Sequence, residues 1–361
     1  MKKFTALFCA FAMLISFAAC GSAPAASSAP AAPVAPSSSA APAPAPSQAA
    51  PAASEPEKTA EPADVKVMAL KGPTAMGMVK FMDEVDAGNV KTNNYSFTIA
   101  AAIDEVTPKL VKGETDIAAV PANVASVLYN NTKGQIQVLA VNTLGVIYIV
   151  ESGDTVKSVE DLRGKTIYAS GKGATPEYSL NYILRENGID PEKDVTIEWK
   201  SEHAECLTAL MASENAIAML PQPFVTTAQI KSDKIRTALD LTEERNKLQK
   251  DGDSSMMITG VVVGRKAFIE ENPEAVSDFL DNYSASVEFV NGDTEQAGEL
   301  VGKYEIVPAP VAKKALPHCN ITFIEGAELK SALSGYLNVL FEQNPKAVGG
   351  ALPGDDFYFA R

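Results

Sequence analysis

From Val65 onward, short apolar runs alternate with stretches whose apolar positions recur at helical spacing, the pattern of a layered α/β fold with mainly parallel strands. Val65 to Leu70 reads as a strand, Gly72-Pro73-Thr74 as a turn, and Ala75 to Asp86 as a helix closed near Gly88. Tyr95 to Ala100, Asp116 to Val120 and Ile136 to Asn142 follow as strands, with helices around Asp104 to Val111 and after Pro121. A continuous apolar run, Gly145 to Glu151, leads to a short helical turn and the strand Thr166 to Ser170. The pattern then restarts: helix Pro176 to Glu186, strand Val195 to Trp199, helix Glu202 to Ala212, strand Ala216 to Leu220 and a helix from Phe224. Ile258 to Val263 reads as a returning strand, and the remainder as mostly helical, notably Pro273 to Val290 and Ala327 to Phe341.

Two segments echo each other. Asp116-Ile117-Ala118-Ala119-Val120-Pro121 and Asn215-Ala216-Ile217-Ala218-Met219-Leu220-Pro221 are each a small-residue strand stopped by proline at a helix entrance. Such a repeat is expected of two similarly wound lobes whose strand ends face one cleft, where open α/β sheets bind ligands. Taken alone, short Ala-rich strands ending in proline also recur by chance.

Before residue 65 the pattern is different. A basic start, Met1-Lys2-Lys3, precedes an apolar stretch from Phe4 to Ala19 that is shorter than the roughly 20 residues a transmembrane helix needs. The end of this stretch, Phe17-Ala18-Ala19-Cys20, resembles the lipobox of bacterial lipoprotein precursors, with Phe17 where Leu is usual. That resemblance implies a signal peptide over residues 1–19 and a diacylglyceryl group on Cys20, the first mature residue; an incidental cysteine in an ordinary secretory signal is the alternative. Gly21 to Asp64 holds ten of the chain's 23 prolines and no aromatic residue. Ala/Pro/Ser composition of this kind cannot offset its ordering entropy, so a disordered tether is expected over residues 20–64. Extended at about 3.1 Å per residue it would reach on the order of 100 Å, which suits a Gram-positive surface.

The formal charge is −14, and loss of Lys2 and Lys3 would leave −16. An acidic chain of this kind lacks the electrostatic footprint of a nucleic-acid binder. Cys206 and Cys319 would remain beside Cys20 after processing, and their spacing suggests no disulfide framework, although one bridge stays open.

Several stretches carry a wider resemblance. Ala69-Leu70-Lys71-Gly72-Pro73-Thr74, Gly113-Glu114-Thr115-Asp116-Ile117-Ala118, Val159-Glu160-Asp161-Leu162-Arg163-Gly164-Lys165, Gly188-Ile189-Asp190-Pro191 and Phe268-Ile269-Glu270-Glu271-Asn272-Pro273 occur in this order. With them the chain resembles solute-binding proteins of bacterial ABC transporters, of the nitrate, sulfonate and taurine type that includes thiamine-precursor binders. The resemblance implies a two-lobed, type II periplasmic-binding fold with two hinge crossovers, expected at Gly145 to Glu151 and Ile258 to Val263. It places residues 65–144 plus 259–361 in lobe 1 and 145–258 in lobe 2. It also implies capture of a small solute by a monomer lipid-anchored on the outer face of the cytoplasmic membrane, delivery to a permease and through it an ATPase, and no cofactor.

Helix N-termini at a cleft present unpaired N–H groups and so suit anionic or acceptor-rich ligands. On that ground the candidate ligand residues are Pro73, Thr74, Ala75, Pro121, Ala122, Asn123, Asn142 and Thr143 from the first lobe. The second lobe supplies Gly173, Ala174, Thr175 and Gln222. Thr74 and Thr175 offer hydroxyls, and Asn123 and Gln222 offer amides, although the same residues also serve as ordinary helix caps. No arginine lies in these loops, which argues against bidentate capture of a carboxylate or phosphonate. Tyr178 and Trp199 are candidate ring walls, with core packing as the plainer use of both. Lys172 reads as a solvated surface lysine. Glu177 and Glu202 would favour a cationic or amine-bearing solute, so the residues leave the charge of the solute open.

His203 and Cys206, at i and i+3, and the adjacent His318 and Cys319 permit a drawn Cys–His nucleophile or zinc site. They fall in different expected lobes, so the plainer reading is a surface histidine beside a buried cysteine, with no catalysis and no metal. A surface lipoprotein that recognises a protein partner is the remaining alternative.

Overall fold

The computed structural model describes residues 61–249 and 255–361. The expected signal, Cys20 and most of the tether lie outside the described residues. Two sheets organise the described chain. The first contains β1 (Asp64–Leu70), β2 (Asn94–Ala100), β3 (Ile117–Pro121), β4 (Ile136–Leu144), β10 (Ile258–Arg265) and β11 (Ile321–Ile324), in the order β11-β4-β10-β3-β1-β2. The second contains β5 (Ile147–Ser152), β6 (Thr166–Ser170), β7 (Thr196–Lys200), β8 (Ile217–Pro221) and β9 (Ile235–Asp240), in the order β7-β6-β8-β5-β9. Helices cover their faces, as sheets buried on both sides require.

The pairing is mixed rather than mainly parallel. β1 runs parallel to β2 and β3, and β6 to β7 and β8. The antiparallel pairs all involve a strand beside a crossing between the sheets, or an edge: β10 with β3 and β4, β11 with β4, and β5 with β8 and β9. A chain that leaves one sheet and later returns inserts its strand against the local direction, which the strand-by-strand pattern does not reveal. β9 and β11 are additions to the expected elements. β9 hides because it is an edge strand with charged Arg236 and Asp240 at its ends, and β11 because it is only four residues long.

The crossings fall at strand ends. β4 stops at Leu144 and β5 starts at Ile147, while the return passes Met257 into β10. These segments touch: a Cβ on Gly145 would lie 2.6 Å from Met257 Sδ and 1.9 Å from Thr242 Oγ1, so only glycine fits there. Thr259 Oγ1 donates to the Leu144 carbonyl at 2.5 Å, and Asn320 Nδ2 donates to the Gly145 carbonyl at 2.5 Å. One apolar cluster runs through the crossings, joining Val141 and Val261 of the first sheet to Ile147 and Met219 of the second.

The two proline-ended strands occupy matching positions. Pro121 of β3 faces Gly260 of β10, and Pro221 of β8 faces Ile147 of β5. Both prolines lie at the gap between the sheets, so the echo in the sequence corresponds to a structural one. Among the described residues no helix is long and apolar enough to cross a membrane.

Candidate functional site

Two adjoining cavities lie between the sheets, one of about 710 Å³ and one of about 280 Å³. They share Pro121, Val146, Ser170, His203, Pro221 and Thr259 as walls, so they form one continuous space. Among the helices that begin at it are Pro73–Met76, Ala122–Asn131, Thr175–Glu186, His203–Ala212 and Phe224–Lys231. Their N-cap residues Gly72, Pro121, Ala174, Glu202 and Pro223 make no side-chain capping bond. In the last of these helices Gln222 Oε1 accepts the Thr226 N–H at 3.3 Å, so the first-turn N–H groups left without a side-chain cap, and available to a ligand, are those of the other four.

The candidate residues divide by position. Pro73, Thr74, Pro121, Thr143 and Gln222 line the larger cavity, and Pro121, Asn123, Ala174 and Thr175 line the smaller. Ala75 and Ala122 point into the core, and Gly173 is exposed on the turn, outside both cavities. Asn142 is fully buried behind the wall, where its amide donates to the Thr74 carbonyl at 3.2 Å and so fixes the helix start. Gly260 makes this possible, because a Cβ there would lie 2.6 Å from Thr74 Cγ2 and 2.5 Å from Asn142 Oδ1.

Internal hydrogen bonds already use most hydroxyl protons at the wall. Thr74 donates to the Leu70 carbonyl at 2.7 Å, Thr143 to Asn142 Oδ1 at 3.2 Å, Thr259 to Leu144, and Thr175 to Asn123 Oδ1 at 3.5 Å. Gln222 spends its carbonyl on the Thr226 hydroxyl at 2.8 Å, which leaves its NH₂ as a donor. Toward the cavity the hydroxyls therefore present lone pairs, and donors come mainly from helix ends and a few side chains.

His203 differs from its expected place at the surface. It opens the helix His203–Ala212, lines both cavities, and packs its ring 5.2 Å from that of Phe224. Its Nδ1 lies 2.5 Å from the Ser170 hydroxyl at the end of β6. Burial pushes its pKa down, which keeps the ring neutral. The signal was present in the sequence: His203 follows a strand and begins a helix, as Thr74 and Thr175 do. Cys206 is buried as expected, and burial raises its thiol pKa.

The other chemistry-bearing residues sit elsewhere. Cys319 is a free thiol packed against Met76, pushed up to about 12 by burial, and Cys206 is likewise free. Among the described residues no three His, Cys, Asp or Glu side chains gather as a metal site. Lys172 is exposed, Tyr178 packs in the core, and Trp199 packs against it. The aromatic ring in the cleft is that of Phe224. Lys71 and Glu202 are the charged side chains on the larger cavity's wall, both at its exposed rim.

Comparison with known proteins agrees with this geometry. Residues 89–305 match the family model described as ABC transporter, phosphonate, periplasmic substrate-binding protein, and the chain belongs to that family. No curated protein sequence matches it. Among solved structures it is similar to an ABC transporter protein from Parabacteroides distasonis, at 23% identity and a TM-score of 0.69, over 82% of this chain and 99% of that one. It is also similar to the periplasmic aliphatic sulphonate binding protein SsuA from Escherichia coli, at 18% identity and a TM-score of 0.66, over 83% and 93%. The alkanesulfonate-binding protein SsuA from Xanthomonas axonopodis pv. citri, solved bound to MOPS, matches at 16% identity and a TM-score of 0.59, over 82% and 96%. The fold is thus that of periplasmic binding proteins, and the protein is the extracytoplasmic substrate-binding component of an ABC importer, a class that delivers small solutes to a permease and its ATPase.

Proposed function

We propose that the space between the sheets captures a small organic solute with a compact, acceptor-rich head and an apolar body, of the phosphonate or sulfonate class. The observation that carries this reading is the convergence on one space of the helix starts at Pro73, Ala122, Thr175 and His203, none with a side-chain cap. Helix N–H groups, the Gln222 amide and His203 would hold the head without an arginine, as electrostatics at helix N-termini allow. Ile103, Val124, Ile147 and Met219 line the smaller cavity and suit an apolar body. Thr74, Asn123, Thr143 and Thr175 supply acceptors around them. The two sheets with their helices act as lobes that close by bending at residues 145–146 and 256–257, binding rather than transforming the solute.

The test is thermal unfolding of the intact protein with methylphosphonate, ethanesulfonate, taurine, nitrate, pyrimidines and amino acids. At a hundredfold excess over Kd, a bound solute raises stability by about 2.7 kcal/mol. A shift with a phosphonate or sulfonate alone supports the reading, and a flat response across the panel defeats it.

The N-terminal sequence supports a lipid anchor at Cys20, which keeps the clamp near its permease. Cys20→Ser is expected to release the protein from membranes, and its continued sedimentation with membranes would refute the anchor.

A further inference from the structure

The two chambers between the sheets differ in chemistry. Beyond the residues it shares with the larger space, the smaller chamber is walled by apolar side chains apart from Asn123 and Thr175. Ile103 and Val124 come from the six-stranded half, and Ile147 and Met219 from the five-stranded half. Among the described residues no Lys, Arg, Asp or Glu lines this chamber, and no Phe, Tyr or Trp. Lys71, Glu202 and Phe224 all stand on the larger space.

The polar side chains on its wall are engaged with the protein. Thr175 donates to Asn123 Oδ1 and Asn123 Nδ2 donates to the Ala347 carbonyl, both at 3.5 Å. Ser170 and His203 meet at 2.5 Å, and Thr259 donates to the Leu144 carbonyl. An ammonium brought here would lose its water and meet no carboxylate, a loss that neutral acceptors alone do not offset. Aliphatic surface gains instead, in proportion to the area taken out of water, and Met219 is a side chain that adapts to the shape of a chain beside it. Size sets the remaining limit. An apolar cavity of about 150 Å³ holds one benzene, so the chamber's volume of about 280 Å³ has room for roughly ten carbon atoms at similar packing.

We infer that the smaller chamber selects the solute by its body: the phosphonate or sulfonate captured carries an uncharged aliphatic body of about six to ten carbons. Members of the class with a methyl, ethyl or aminoethyl body bind more weakly, the first two because they leave the chamber largely unfilled and the last because it brings a charge. This rests on the cleft reading above and deepens it, extending the choice of solute from its head to the rest of the molecule.

Calorimetric titration of the intact protein with the straight-chain sulfonates from ethane to octane reads the body directly. Each added methylene is expected to tighten binding about threefold to fourfold, which makes hexanesulfonate about a hundredfold tighter than ethanesulfonate. Taurine has the shape of propane-1-sulfonate with an ammonium in place of the terminal methyl, and it should bind about tenfold more weakly or worse. Val124→Phe and Ile103→Phe, on separate helices, each take up part of the chamber and should lower the hexane-to-ethane ratio to below about tenfold. Equal affinity along the series, taurine as tight as propane-1-sulfonate, or a ratio that neither variant lowers would overturn the inference. If no sulfonate or phosphonate of any length binds, the cleft reading fails by itself, and hexan-1-ol, a chain without an acid head, decides the chamber. A rise in thermal stability with hexan-1-ol that the two variants remove supports it, whereas no rise, or one that both variants keep, overturns it.

Discussion

In the six-stranded half, β3 ends at the cavity with Pro121, and the buried Asp116 at its other end is held by Arg265 Nη2 at 2.6 Å. In the five-stranded half, β8 ends at the cavity with Pro221, and far from the cavity the buried Glu151 of β5 is held by Arg236 Nη2 at 2.6 Å. The scaffolds are matched: a proline stop at the cleft and an arginine–carboxylate pair at the far end. The cavity walls are not matched. The first half presents Thr74, Thr143 and Thr259 with hydroxyl protons turned inward, whereas the second presents His203, Gln222 and Phe224. Helix starts come from both halves, so the walls differ in their side chains: threonine hydroxyls on one side, an imidazole, an amide and a phenyl ring on the other. Recognition can differ between the walls because the scaffold leaves the loop residues free to vary.

The largest expected effect comes from breaking the far-end pairs. Glu151 is 0% exposed, so Arg236→Met strands a buried carboxylate and should cost about 3–5 kcal/mol by denaturant unfolding. Asp116 is 6% exposed and so keeps some access to water, and Arg265→Met should cost less, about 2–3 kcal/mol. Equal costs would show that the halves are more alike than their burial suggests. Burial pushes the Glu151 pKa up, but hydrogen bonds from Thr155 and Val156 and the Arg236 charge outweigh it and hold it below the usual carboxylate value. A depressed carboxylate contributes stability above its unfolded pKa, and that contribution is lost as pH falls through the folded value. Glu151→Gln should therefore flatten the loss of stability on the acid side of about pH 4, and an unchanged acid limb would contradict this.

Effects on the walls come next. Gly260→Ala would drive Thr74 and Asn142 from their positions and should weaken solute binding by about a hundredfold with modest loss of stability, because misplaced groups lose more than one contact. His203→Ala should cost about tenfold in affinity, the value of a buried hydrogen bond. Thr143→Val keeps the shape and removes one acceptor, so the expected loss is about threefold. A larger loss from Thr143→Val than from His203→Ala, measured by calorimetric titration, would reverse this order of the two walls.

Much of this was legible in the chain. The proline stops after Val120 and Leu220 and the glycine turn before Pro73 marked the strand ends at which Thr74, Asn123, Thr175 and Gln222 line the cavity. Strand ends are legible because turn residues are local. Side-chain direction is not: Ala75 and Ala122 turn inward because a helix that starts at a cleft sends its next residues toward the core. His203 stands at a helix start after a strand, as Thr74 and Thr175 do, which is a local signal for the cavity; its contact with Ser170 spans 33 positions and has no local signal. The antiparallel pairs escaped for a related reason, since β10 takes its direction from the return crossing and not from its own residues.

The most direct test of solute capture between unlike walls is calorimetric titration of the intact protein with ethanesulfonate and methylphosphonate, run beside Gly260→Ala and His203→Ala. Saturable one-to-one binding that is lost in the first variant and weakened in the second is the predicted result. Absence of binding by either solute, or binding that both variants leave untouched, would contradict it.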